Sequence, residues 1–318
     1  MTVTGWQDPE QLGFCQPHEH LMISAGVSSQ LNSTLLIDDI AKSTAEVFKF
    51  KAAGGGTIID AQPGGANRCP EALLAISKET GVNIIASTGF HKHCFYPKDH
   101  WLFTGTLAGL TNIFVHELTI GMFCNIDHHF SPKFIASKAG IIKVALDGCN
   151  LTPIYQKCFQ AAAYAAIECE VPMMVHIEQG SNPLALLKNL ISLGVPAKRI
   201  IFCHMDRDVM PLSYYTKVLD LGATLEFDTI GRFKYHSDED EVTLIMDLLK
   251  AGYENQLLFS LDTTSERLKS YNPKGIGLTY IIESFLPMLK EAGMTDSQIQ
   301  KITHTNLINI FTHSTSTR

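Results

Sequence analysis

Two histidines one residue apart, His18 and His20, close the run Gly-Phe-Cys-Gln-Pro. On a strand that spacing sends both side chains to one face, their bases about 6.5 Å apart, so both reach one cation. Four further apolar runs carry residues of metal-binding type. Lys143 lies in Gly-Ile-Ile-Lys-Val, His176 ends Met-Met-Val, His204 ends Ile-Ile-Phe-Cys, and Asp262 ends Leu-Leu-Phe-Ser-Leu. Imidazole and carboxylate suit zinc, manganese, cobalt or iron. Two such ions about 3.5–4 Å apart activate water and polarise a substrate oxygen together, which is the chemistry of hydrolysis. A lysine with apolar neighbours on both sides is directed into the interior, where burial favours a neutral amine. A neutral amine adds carbon dioxide to form a carbamate, an anion with two oxygens able to bridge two cations.

Residues spread from His18 to Asp262 meet only if some architecture gathers the ends of their strands on one face. Eight short apolar runs recur, and continuous apolarity marks strands buried on both sides, as in a parallel sheet. Besides the five named, they span 57–62, 83–89 and 223–228. Helical stretches separate them at 38–53, 70–80, 106–123, 153–170, 183–193, 212–221 and 239–251, with Gly54, Gly81, Gly194 and Gly222 as stops. Two more helices, 277–292 and 295–312, complete an outer ring. The alternation predicts a (β/α)8 TIM barrel over 1–318, one domain, with a binuclear metal site at the C-terminal face of the strands. No Gly-x-Gly-x-x-Gly follows the first strand, which disfavours an open doubly wound sheet.

Bulk properties narrow the partners. The 318 residues are 45% hydrophobic and 18% charged, with a net charge of -7 and no basic run, so nucleic acid is disfavoured. The first residues lack the features of a signal peptide, and no apolar run is long enough to span a bilayer. A cytoplasmic enzyme with reduced core cysteines is expected from Cys15, Cys69, Cys94, Cys124, Cys149, Cys158, Cys169 and Cys203, none in a Cys-x-x-Cys pair. Alternation points Cys203 away from the metal, and Glu19 away from its flanking histidines toward a structural role or solvent.

The set His18-Glu-His20, Lys143, His176, His204 and Asp262 resembles the complete metal set of the phosphotriesterase family of the amidohydrolase superfamily, in family order from Gly13 to Phe311. The resemblance implies that His18, His20 and Asp262 hold the more buried metal and His176 and His204 the more exposed one. Zinc is the metal expected, with a carboxylated Lys143 and a hydroxide bridging the pair. Some branches carry a glutamate at the lysine position; this chain does not. The implied reaction is attack of the bridging hydroxide on a carbonyl carbon. Asp262 accepts the proton of the attacking water and passes it to the leaving oxygen, so Asp262 and Lys143 are the catalytic residues.

Three stretches resemble most closely the branch that hydrolyses sugar-lactone phosphates: Gly89-Phe-His-Lys92, His204-Met-Asp-Arg207 and Asp228-Thr-Ile-Gly-Arg232-Phe-Lys234-Tyr235. Lys92, Arg207, Arg232, Lys234 and Tyr235 are therefore the substrate-binding candidates, with Lys234 and then Arg232 foremost for a phosphate. The branch has an arginine three residues past the last aspartate and a tyrosine beyond. Here Ser265 and Leu268 stand there, with Arg267 and Lys269 out of register. The expected activity is opening of a sugar lactone, with or without a phosphate, by a homodimer acting on a small molecule. An aryl ester or organophosphate hydrolase is the alternative, and cationic loops suit it less. A barrel that binds without turnover is disfavoured by the intact ligand set. His91 and His93 are expected at the mouth, while His116, His128, His129, His304 and His313 are expected at the surface. Phe90, Tyr96 and Trp101 serve as a pocket wall or as packing.

Overall fold

The computed structural model describes residues 1–148, 151–208 and 210–312. Eight parallel strands follow one another in chain order around a (β/α)8 barrel: β1 (Phe14–Glu19), β2 (Gly55–Asp60), β3 (Asn83–Gly89), β4 (Ile141–Leu146), β5 (Met173–Ile177), β6 (Ile200–Cys203), β7 (Thr224–Phe227) and β8 (Leu257–Phe259). Continuous apolarity has the cause inferred from sequence, because each strand is covered on both faces. Ile59, Ile85, Ile141, Met174, Ile201 and Leu258 fill the barrel interior. Leu12, Leu307 and Ile310 join this cluster and cover the end where the strands begin. The outward residues, such as Ile58, Ile84, Val144 and Phe202, pack against the helical layer. Each fully buried side chain of this kind contributes about 1.5–3 kcal/mol.

The helices start and stop where local chemistry satisfies their free backbone groups. Helix α1 (Ile40–Ala52) is capped by Asp39, whose carboxylate accepts from Lys42 N–H. Helix α2 (Pro70–Thr80) ends at Gly81 in the left-handed region, φ 69°. Helices α3 (Leu107–Thr119), α4 (Pro153–Cys169), α5 (Pro183–Ser192) and α6 (Leu212–Leu219) follow. Helix α7 (Asp238–Lys250) opens with a capping box formed by Ser237 and Asp240. The helix expected over 106–123 stops at Thr119, because Met122–Phe123 pairs antiparallel with Phe134–Ile135. The stretch expected to begin at Gly277 turns helical at Ile281. No helix among the described residues is long and apolar enough to cross a membrane.

Side chains close the barrel between β1 and β8. Ser260 Oγ accepts from His18 N–H at 3.0 Å, and Thr263 Oγ1 accepts from His20 N–H at 3.0 Å. Glu19 accepts from Leu261 N–H at 2.9 Å and Thr263 N–H at 3.2 Å. Glu19 is wholly buried, so of the two roles its position allowed it has the structural one and does not face solvent, and burial raises it to about 7. The seam therefore fixes the two strands that carry His18, His20 and Asp262.

Candidate active site

Simple alternation does not bring all the candidate ligands to one face; three local departures do. Between Gln16 and Glu19, β1 pairs Gln16 with Ile58 and Glu19 with Asp60, so it bulges by one residue. That bulge reverses the parity, and His18 and His20 face the same interior as Cys15. At the end of β6, His204 adopts φ 61°, and at the end of the eighth run Asp262 adopts φ 48°. Left-handed backbone is costly for residues other than glycine and persists where the surroundings hold it. Cys203 follows Ile201 inward by ordinary alternation, its Sγ 3.7 Å from Lys143 Nζ, and the left-handed turn brings His204 to the same interior. This corrects the outward orientation inferred for Cys203.

The ring nitrogens sort into an anchored set and a free set. His18 Nδ1 lies 2.9 Å from Asp228 Oδ2, and His204 Nδ1 lies 2.7 Å from Asp228 Oδ1. His176 Nε2 lies 3.0 Å from Glu178 Oε2. A carboxylate accepts, so these three nitrogens carry the protons and the opposite nitrogens are bare in the neutral rings. The bare His204 Nε2 and His176 Nδ1 face each other at 2.7 Å, and His18 Nε2 lies 2.9 Å from Lys143 Nζ. Two lone pairs at that separation repel unless a cation lies between them. His20 Nε2 is 3.4 Å and His18 Nε2 3.7 Å from Asp262 Oδ1. Lys143 is completely buried.

Electrostatics favour the ligating protonation states at His176, His204 and Asp262. At His18 burial and Lys143 oppose a charge, but Cys203 and Asp228 outweigh them and raise the ring well above the imidazole range, so a cation bound there would release its proton. Burial pushes His176 down to about 3 against the pull of Glu178, and burial and Arg207 hold His204 well below the imidazole range. Burial would raise Asp262, but Arg232 and the hydrogen bond from His20 hold it well below the usual carboxylate range. Burial likewise opposes, and His204 and His18 together outweigh it, in keeping Asp228 ionised. Neutral imidazoles with outer N–H groups on carboxylates, beside an ionised aspartate, form a donor set that fits a pair of divalent cations.

A cavity of about 350 Å³ opens above this set, with His20, His176 and Asp262 at its floor. Lys92, Arg207, Arg232, Lys234 and Tyr235 all line it. Glu178 accepts from Lys92 Nζ at 2.9 Å and from Arg207 at 3.1 Å. Asp262 Oδ2 lies 3.3 Å from Arg232 and 3.5 Å from Arg207. Lys234 lies over the Tyr235 ring, 4.7 Å from its centroid. It forms no carboxylate pair among the described residues, unlike the other lysine and the arginines of the cavity.

Several neighbours differ from expectation. His91 lines the cavity, but His93 stacks on Tyr155 at 3.5 Å and does not. Phe90 and Tyr96 are buried packing residues, while Phe95 lines the cavity instead. Cys94 is exposed at the cavity rather than in the core; the seven described cysteines are free. Cys149 and His313 lie outside the described residues. His116 is half-buried and stacks on Phe123 at 4.3 Å, because the ribbon after α3 folds back over it. Arg267 does not reach the cavity: it donates to the carbonyls of Gly231 and Ile230 and anchors the loop bearing Arg232 and Lys234.

Sequence reading passed over Asp228 as an orienting acid, Glu178, and a second buried group formed by Asp206, His236 and Glu241. Asp228 ends the seventh apolar run, the same signal that marked Asp262, so it was detectable. Glu178 stands two residues past His176 and gave no comparable signal.

The family model for the phosphotriesterase family matches residues 1–311, and the chain belongs to that family of binuclear metal-dependent hydrolases. It is 28% identical to a phospho-furanose lactonase of Mycoplasmopsis synoviae, over 94% of this chain and 87% of that one. The fold matches the crystal structure of a lactonase from Listeria monocytogenes with a TM-score of 0.88 and 30% identity, covering 98% of each chain. It also matches the phosphotriesterase homology protein of Escherichia coli, complexed with phosphate in its active site. There the TM-score is 0.85 and the identity 27%, covering 96% of this chain and all of that one.

Proposed function

We propose that this protein is a metal-dependent lactonase that opens a sugar lactone, favouring a phosphorylated furanose lactone. One observation carries the reading: bare imidazole nitrogens, Lys143 and Asp262 converge beneath a cavity walled by cations. The phospho-furanose lactonase and the phosphate-bearing neighbour support the same substrate class. His18, His20 and Asp262 would hold one metal, and His176 and His204 the other, zinc being the metal we favour. Lys143, carboxylated by carbon dioxide with loss of a proton, would link the two. The bound pair would supply an activated water and polarise the lactone carbonyl.

The remaining roles belong to the chain itself. Asp262 takes the proton of the attacking water and delivers it to the ring oxygen that leaves. Arg207 and Arg232 fix its second oxygen and keep the carboxylate ionised until then. Lys234, which forms no carboxylate pair among the described residues, receives the phosphate with Arg232 beside it. Because Ser265 and Leu268 offer no cation, this loop carries the phosphate contact that the related branch places after its last aspartate. Neutral, apolar aryl esters or organophosphates would leave these cations unpaired in a half-enclosed cavity, so we rank them second. We further propose a cytoplasmic homodimer, which sedimentation of the purified protein tests.

The deciding experiment is a panel of furanose lactones with and without a 5-phosphate, assayed on protein of known metal content. A kcat/KM at least about tenfold higher for the phosphorylated forms is expected from one added charged hydrogen bond. Equal rates on both forms would remove the phosphate, and no opening of any lactone would remove the activity.

A further inference from the structure

Glu178 is the one acid among the described residues that faces the cavity's cations without being a candidate metal ligand. Its Oε2 accepts from both Lys92 Nζ and His176 Nε2, and its Oε1 accepts from Arg207. The side chain retains 31% exposure while Lys92 and Arg207 retain 22% and 13%, so the acid lies toward the open side of the pair. A substrate anion aimed at Lys92 and Arg207 therefore meets a carboxylate already in place.

Resting on the lactonase reading above, we infer that Glu178 is a specificity-determining residue that occupies the anion position. A phosphoryl group of the substrate displaces it from Lys92 and Arg207. The physical basis is an exchange of one anion for another. A carboxylate offers one negative charge and two acceptor oxygens. A phosphate monoester carries about -1.5 to -2 at neutral pH and three acceptor oxygens. An incoming carboxylate merely matches what Glu178 supplies, whereas a phosphoryl group exceeds it. Lys234, which forms no carboxylate pair among the described residues, meets the phosphoryl group first with Arg232 beside it, and Arg207 keeps its second contact with Asp262 throughout. Between turnovers the internal anion keeps two buried-edge cations compensated and holds the N–H of His176, so the empty site stays ordered.

The test is calorimetric and independent of turnover. Metal-loaded protein is titrated with ribose 5-phosphate, and with ribose as the uncharged control that reports hydroxyl binding at the metals. Glu178→Gln, which keeps the shape and removes the charge, is expected to tighten ribose 5-phosphate about tenfold relative to ribose, both measured on protein of verified metal content. Glu178→Asp, which keeps the charge, is expected to stay near the wild-type affinity. Unchanged or weaker binding of ribose 5-phosphate by Glu178→Gln overturns the inference, as does an equal gain in Glu178→Asp. The two proposals fail separately. Tightening by Glu178→Gln in a protein that opens no lactone defeats the lactonase reading alone; lactone opening without tightening defeats the role of Glu178 alone.

Discussion

Two buried groups of histidine and carboxylate sit side by side in this barrel and use the same residue types to opposite ends. In the first, His18, His176 and His204 each place one nitrogen on Asp228 or Glu178 and leave the other bare beneath the cavity. In the second, His236 uses both nitrogens on the protein. Its Nδ1 lies 3.0 Å from the Ser237 carbonyl oxygen, and its Nε2 lies 2.9 Å from Glu241 Oε2. Burial opposes a charge on His236, but Glu241 outweighs it and raises the ring to about 9, while burial raises Glu241 itself to about 7; the 2.9 Å contact favours the charged pair. Asp206, also in this group, accepts from Thr229 N–H at 2.6 Å. The second group thereby ties down the loop that presents Arg232 and Lys234. Ligand-type residues in proximity do not make a metal site; a lone pair left facing an accessible space does.

The largest expected effect breaks the first group at its centre. Lys143→Ala should abolish retention of the metal pair and lower kcat/KM by more than about 100-fold, beyond the range of orienting residues. Elemental analysis of dialysed protein with parallel kinetics decides it, and full metal at full rate would end the scheme. Asp228→Asn removes the charge and leaves one acceptor oxygen for the two ring N–H groups of His18 and His204, and a loss of about 10–100-fold in metal affinity or activity is expected. Wild-type metal affinity in that variant would mean the anchored nitrogens do not matter. Lys234→Ala should raise KM for a phosphorylated lactone about tenfold and spare the unphosphorylated one. A parallel rise on both substrates would assign Lys234 to loop structure.

The smallest effect sharpens the contrast from the other side. A histidine with a raised folded pKa contributes stability that is complete below 6.5 and is lost as pH rises through about 9. Wild-type protein should therefore lose melting temperature across that window. His236→Gln should lie about 2–4 °C lower at pH 6.5, converge at high pH, and keep its metal content unchanged. Loss of metal from His236→Gln would show that the two groups are not separate after all.

Much of this was written in the chain. The eight apolar runs gave the barrel and its strand order. Residues ending those runs marked the rim, because in a parallel barrel every strand ends on one face. Lys143 was legible as an interior residue from Ile141, Ile142 and Val144, and all five proposed substrate-binding residues line the cavity. Cys203 and His93 were misplaced for a shared reason: period-two alternation and loop proximity say nothing about a left-handed residue or a ring stack. The ribbon at Met122–Phe123 was missed because two-residue strands have no periodicity to read.

Sequence alone determined which chemical groups are available, their order, and the class of fold that unites them, since those follow from hydrophobic period and residue type. Tertiary structure decided which nitrogen of each ring is free, how the β1 bulge and the left-handed His204 and Asp262 turn their side chains inward, and which cations are already paired. Those outcomes depend on partners distant in the chain, such as Asp228 for His18 and Glu178 for Lys92. A hydrogen bond has direction and a strand has parity, and neither is fixed until the neighbouring strand is in place.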